Sequence, residues 1–477
     1  MVRSTSGLLA LLSVSLTFAC APEEGDGEPF ELTQLSSGLA VTNGSGTSET
    51  FTSTGTIDTN NEFFQSLGAN GRACVTCHQP QDNWTIIPAH LQQRFDATGG
   101  TDPVFRTNDG SNSPLADVST VAARRNAYSM LLSKGLIRIG LSIPQGAEFE
   151  LAAVDDPYGY ASAAHGLSLF RRPLPTTNLK FLSTVMWDGR ETFRDAPAPN
   201  CLKPPLDTTV CFAPLTFDLS DQANGATLGH AQAAQPLTTA QRNSIVAFEL
   251  GLFTAQTFDN DAKNLTAAQA DGGPASLSAK PFYFGINDVV SGDYVTNTFT
   301  PAVFHTYDAW ANRPGNGTEA ARRAVARGQA LFNTKPIAIK GVKGINDDLN
   351  VAVFPGTCTT CHDTPNAGDH SIPAPLDIGL TDESRRTPDM PLYTLRRIST
   401  GETIKTTDPG RALVTGKWKD IARFKGPILR ALAGRAPYFH NGLAADLGAA
   451  VDFYDARFSI GFTAQEKSDL VAFLRTL

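Results

Sequence analysis

Four of the seven cysteines fall in two copies of one pattern, Cys74-Val75-Thr76-Cys77-His78 and Cys358-Thr359-Thr360-Cys361-His362. C-x-x-C-H is the attachment signature of c-type haem. The two thiols add to the vinyl groups of the macrocycle, and the next histidine stands where its imidazole can reach the iron. A zinc site would need a second ligand pair near each motif, and a redox dithiol would need a βαβ setting; neither pattern is visible. Two covalently bound haem c groups are expected, on Cys74, Cys77, Cys358 and Cys361, with His78 and His362 as iron ligands.

The elements that must position these motifs are legible as helical patterns. A helix-like segment over residues 61–68 leads to the first motif, and one over 319–332 leads to the second. Residues 239–253 and 463–474 also carry apolar positions at helical spacing. The expected fold class is mainly α: two cytochrome c-like haem domains with long loops, the first enlarged by insertions. Its expected boundaries are 51–318 and 319–477, with little sheet beyond short hairpins within 80–170.

The chain start reads as targeting. Arg3, an apolar stretch over residues 7–18 and Ala19-Cys20 form a bacterial export signal over 1–19, too short for a membrane span. Cys20 is the expected lipidation site, with plain secretion as the alternative. Residues 20–50, acidic and then rich in Ser, Thr and Gly, read as a flexible tether. The expected location is the periplasm, on a membrane through a lipid anchor. Cys201 and Cys211 flank a Pro-containing loop and are expected to form a disulfide. The odd cysteine count then resolves into one anchor, four thioethers and one bridge.

With 39 Lys and Arg against 47 Asp and Glu, the net charge of −8 and the lack of any basic run exclude a general nucleic-acid binder. At 477 residues and 41% hydrophobic, the chain can bury a sizeable core, while 41 Gly and 30 Pro make it rich in loops.

The two motifs, Trp187-Asp188-Gly189-Arg190 between them, and Phe424-Lys425-Gly426-Pro427-Ile428-Leu429-Arg430 running into Ala436-Pro437-Tyr438-Phe439-His440-Asn441-Gly442 resemble the bacterial di-haem cytochrome c peroxidase and MauG superfamily. The resemblance covers about 320–477 almost throughout, and the first half near its motif and from 187 to 222. Residues 80–170 have no counterpart in it.

The resemblance implies an oxidoreductase that reduces hydrogen peroxide at the His78 haem with electrons relayed through the His362 haem. It implies Trp187 as the bridge between the haems, and a small cytochrome c or cupredoxin as donor. Fourteen residues after His440 the peroxidases carry an axial Met and MauG an axial Tyr; here that position is Tyr454, with Met390 as the rival ligand. A tyrosine there opens the alternative of MauG-like oxidation of a partner protein through high-valent haems; a third reading is a non-enzymatic electron-transfer lipoprotein. Over the reactive iron the family places Gln and Glu ten residues apart. Gln222 fits the first, but Gln232 stands at the second, so His230 is the substitute acid–base group, against a plain surface role. His90 and His165 fall where many relatives carry a histidine that closes the reactive haem, without the family's surroundings. His305 and His370 have no motif and read as ordinary, and Met130 and Met186 as packing. Calcium, held near the Pro437 segment in relatives, is an open expectation.

Overall fold

The computed structural model describes Met1 and residues 38–192, 215–290, 292–293 and 295–477. The export signal, Cys20, and the Cys201–Cys211 pair lie outside the described residues. Among the described residues, all of the helices and strands belong to the compact unit Gln34–Leu477. Among the described residues no helix is long and apolar enough to cross a membrane.

The helices that carry the argument are α1 (Pro88–Thr98), α2 (Leu215–Gly229), α3 (Thr239–Leu250), α4 (Thr318–Thr334), α5 (Leu447–Phe458) and α6 (Ala464–Leu474). The patterns over 239–253, 319–332 and 463–474 thus form helices. α3 and α6 start with reciprocal capping boxes, Thr238 with Gln241 and Thr463 with Glu466. The pattern over 61–68 yields only the single 3-10 turn Glu62–Phe64. Both haem motifs also lie on single 3-10 turns, Cys74–Thr76 and Cys358–Thr360.

The expectation of a mainly α chain is corrected: helix makes up only 31% and strand 17%, in several sheets. The largest sheet runs β1 (Gly38–Asn43), β2 (Gly46–Thr52), β6 (Leu252–Asp259) and β7 (Lys263–Asn264). β3 (Ile137–Leu141) pairs antiparallel with β5 (Leu167–Arg171). β4 (Phe149–Asp155) pairs with β10 (Leu392–Arg397), which pairs with β11 (Thr403–Thr406), so the 80–170 stretch is joined by backbone to the second half. β8 (Ile337–Ile339) and β9 (Phe354–Gly356) form a small hairpin.

The tether expectation fails over 38–50, which forms β1 and most of β2. Burial alternates strictly along β2, the period-two signature of a strand with one face covered. Beyond Gly46 its buried residues are Ser48, Thr50 and Thr52, and their hydroxyls are satisfied within the protein. Thr50 Oγ1 pairs with Thr254 Oγ1 at 2.8 Å, and Thr254 with Thr177 at 2.8 Å. Ser48 Oγ donates to Asn83 Oδ1 at 2.5 Å, and Trp84 Nε1 to Thr50 Oγ1 at 2.9 Å. Burying a hydroxyl is costly only when it lacks a partner, so a Ser/Thr-rich composition can be a core strand.

Two cores hold the two motifs. Beside the first, Phe63, Trp84 and Phe248 pack with ring centroids 5.1 to 5.9 Å apart, and Phe63 lies 6.4 Å from the His78 ring. Beside the second, α4 crosses α6 so closely that a Cβ on Gly328 would meet Asp469 O at 2.0 Å. Only glycine fits there, and the approach brings Phe332 against Phe473 and to 5.9 Å from the His362 ring.

Candidate di-haem site

Two cavities of about 1500 and 1770 Å³, open mouths included, lie over the two motifs. Both far exceed the ~30 Å³ a water occupies and are of prosthetic-group scale. The first is lined by Cys74, Cys77 and His78, the second by Cys358, Cys361 and His362. They share one wall, made of residues 172–175, Trp187, Lys425 and Ile428.

The residues present fit haem c. All four thiols are free, and burial pushes Cys74, Cys358 and Cys361 up to about 12. Each motif histidine uses Nδ1 on a backbone carbonyl, His78 on Trp84 O at 3.2 Å and His362 on Gly368 O at 2.6 Å. That arrangement selects the tautomer that leaves Nε2 unprotonated for a metal. Burial lowers both imidazoles to about 4, keeping them neutral. Haem also carries two propionates. Buried Arg172, on both walls, and Arg435, on the second, have no ion-pair partner among the described residues and hold only backbone carbonyls. Desolvation lowers both to about 10, and each is placed to neutralise an anion entering the cavity.

Trp187 is half-buried in the shared wall. Its Nε1 donates to Arg172 O at 2.8 Å, and its own carbonyl accepts from Lys425 N at 2.9 Å. The next residue anchors the turn: Asp188 bonds Arg171 Nη1 at 2.5 Å and Arg190 Nη1 at 3.0 Å, and Arg171 also holds Asp408. Burial alone would raise the Asp188 carboxyl, but the arginine charges outweigh it and hold it near 2.

The first cavity has a polar side. Gln222, on α2, lines it, as does His230 just past that helix. His230 Nδ1 is bound to Asp109, which is bound in turn by Arg72. Arg72 is itself fixed by Pro103 O at 2.8 Å and Val104 O at 2.7 Å. Burial would raise the Asp109 carboxyl, but the His230 hydrogen bond and the Arg72 charge outweigh it and keep it ionised. A buried carboxylate on Nδ1 fixes the imidazole's orientation and tautomer. Gln232 turns away with φ of 56° and accepts from Asn70 Nδ2 at 3.2 Å, off the cavity wall.

In the second cavity Tyr454, on α5, faces the space that His362 faces. Its ring packs on Phe439, Phe453 and Phe458, and burial raises its hydroxyl. The structure brings Met390 to neither cavity; it is buried with Met130, Leu136 and Phe170. Met186 lines the first cavity and packs on the core beside it. His90 sits against Asp82, and His165 stacks on Tyr160 at 4.8 Å; neither lines the first cavity.

Three residues on these walls escaped the sequence reading. His440 stacks on Phe424 at 4.1 Å and stands 6.0 Å from Trp187, with neither ring nitrogen hydrogen-bonded. His370, read as ordinary, is buried on the second wall. Glu249 is buried on the first wall beside Cys74, four residues after Ile245 on an otherwise apolar face of α3, and its Oε2 has no hydrogen-bond partner.

Burial pushes the Glu249 carboxyl up to about 8, from an ordinary 4.5. The fold therefore binds more protons than the unfolded chain between those values, and this group's contribution to stability falls as pH rises from about 4.5 to about 8. Glu249→Gln is expected to flatten that fall in the thermal midpoint of the haem-loaded protein. Identical pH slopes for the two proteins would mean that Glu249 is solvated or paired once haem is bound.

No protein-family profile matches the chain. Cytochrome-c peroxidase IdrP1 of Pseudomonas sp. (strain SCT) is 30% identical over 191 residues, covering 36% of this chain and 43% of that protein. Cytochrome-c peroxidase IdrP1 of Denitromonas iodatirespirans is 31% identical over 191 residues, 36% of this chain and 44% of its own. IdrP2 of the same organism is 30% identical over 144 residues, 28% and 38% of the two chains. The match spans less than half the length of these curated relatives. Among solved structures, a MauG-like protein associated with microbial copper homeostasis covers 87% of each chain at 16% identity and a TM-score of 0.35. With two C-x-x-C-H cradles sharing one wall, the chain is similar to bacterial cytochrome-c peroxidases over about a third of its length.

Proposed function

We propose that the protein is an exported di-haem oxidoreductase that reduces hydrogen peroxide in the first cavity, with electrons passed from a small redox protein through the second cavity and Trp187. The observation that carries this reading is the asymmetry of two haem cradles joined at one wall. The first has the polar group Gln222, His230 and Asp109; the second is a largely apolar chamber lined by Tyr454 as well as by the motif histidine. When bound, haem supplies an iron that takes peroxide and accepts electrons one at a time. His78 and His362 would each hold the iron of one haem, and Arg172 and Arg435 would offset propionates. With haem bound, His230, held by Asp109, would be the acid–base group that moves a proton between the two oxygens of peroxide. Gln222 orients the bound peroxide by hydrogen bonding, and Trp187 carries the electron across the shared wall.

Tyr454 supports a second reading, MauG-like oxidation of a partner protein, because a phenolate ligand favours the oxidised iron where a thioether would favour the reduced one. One spectrum tests the scheme. The purified ferric protein is expected to give one high-spin and one low-spin haem signal by electron paramagnetic resonance, with peroxide altering the high-spin one. Tyr454→Phe is expected to change the low-spin signal. Two low-spin haems inert to peroxide, even after one-electron reduction, would leave only an electron carrier. Turnover with a reduced cytochrome, set against oxidation of a protein partner, separates the two enzymatic readings.

A further inference from the structure

Beside the second motif stand three side chains that neither cavity scheme uses. Asp288, Asp363 and His370 are 0%, 0% and 6% exposed, and one ligand atom from each lies within 4.8 Å of the others. Two loops are fastened together to make this cluster: Gly285 N donates to Ser371 O at 2.9 Å, and Asn287 Nδ2 to Asp363 O at 3.1 Å. Ser371 N donates to Asp363 Oδ1 at 2.8 Å, which fixes that carboxylate and leaves Oδ2 turned into the cluster.

His370 Nδ1 and Asp363 Oδ2 are 3.0 Å apart, yet neither atom makes a hydrogen bond. Two ligands at right angles on one ion, each ~2.1 Å from it, stand ~3.0 Å apart. Ser371 Oγ, fully buried next in the chain, also lacks a partner. The donor set fits the same reading: two carboxylate oxygens and one imidazole nitrogen within reach of one another are ligands for a divalent cation.

We infer that Asp288, Asp363 and His370 bind a divalent transition ion, of the Mn²⁺ to Zn²⁺ class, that clips the 285–288 loop to the 363–371 loop beside the second haem. An imidazole ligand favours these ions over Ca²⁺ and Mg²⁺, which take oxygen donors. The site is separate from the Pro437 segment to which the family resemblance assigns calcium.

The test uses the full haem-loaded protein, purified without chelator and dialysed against Mn²⁺ or Zn²⁺. Metal is counted by mass spectrometry, with iron set against haem. One equivalent of Mn²⁺ or Zn²⁺ per chain is expected, and bound Mn²⁺ should give a protein-broadened resonance signal. Asp288→Asn and Asp363→Asn are expected to weaken retention by at least about tenfold, the scale on which even a ligand's outer partners act. Should those variants lose their haems, the count on the unmodified protein decides alone. Metal below about a tenth of an equivalent, calcium as the sole bound ion, or full retention in folded variants would overturn the site and leave a protonated His370 bridging two carboxylates.

Discussion

Trp187→Phe is expected to cut steady-state peroxide turnover about a hundredfold, equivalent to ~2.7 kcal/mol of barrier, while leaving both haem spectra in place. Phenylalanine keeps a ring in the wall and leaves the backbone contact from Lys425 N to the carbonyl of this residue in place. It removes the indole, whose oxidation is far easier than that of a benzene ring. If Trp187 only fills the wall, a phenylalanine ring packed there would preserve the rate; a hopping role predicts that it does not. The decisive measurement is rapid mixing. The first haem should still respond to peroxide at its usual rate, and re-reduction from the second haem should become the slow step. A turnover within about threefold of the parent protein would remove Trp187 from the path.

The second large effect belongs to His230. His230→Gln is expected to slow the reaction of the first haem with peroxide by roughly 10²- to 10⁴-fold, the usual contribution of a positioned acid–base group. Glutamine can occupy the space and bond to Asp109, but it cannot carry the proton. Electron entry at the second haem should be unaffected, because His230 lines only the first cavity. Asp109→Asn should give a smaller loss in the same step, by releasing the imidazole's tautomer. That variant also leaves Arg72 buried without its carboxylate, so reduced stability accompanies it, and His230→Gln is the cleaner experiment. Should His230→Gln react with peroxide at the parent rate, Glu249 becomes the proton source to test, since it is a second buried acid on that wall.

The helices of the second half and the two C-x-x-C-H motifs were readable because both are local. A capping box acts over four residues, C-x-x-C-H over five, and amphipathic spacing over three or four turns. Trp187 and Tyr454 were reached through family resemblance, and the structure places both on cavity walls. The sheets were not readable, because a Thr-rich strand differs from a linker only in what it meets. Thr50 and Thr254 come from segments 204 positions apart and satisfy each other's hydroxyls. The segment read as a tether thereby holds Trp84, whose carbonyl orients His78.

By itself the sequence determined what is carried within a few residues: two C-x-x-C-H motifs, each with its two thiols and adjacent imidazole, and the excess of acidic over basic charge. Only the tertiary structure decided that the two cradles share a wall, that His230 and not Gln232 reaches the first cavity, that Met390 reaches neither, and that Asp288 and Asp363 converge on His370. The physical reason is distance along the chain. A covalent attachment site needs only neighbouring residues, whereas a buried charge, a tautomer or a shared wall is set by partners that folding alone brings within reach.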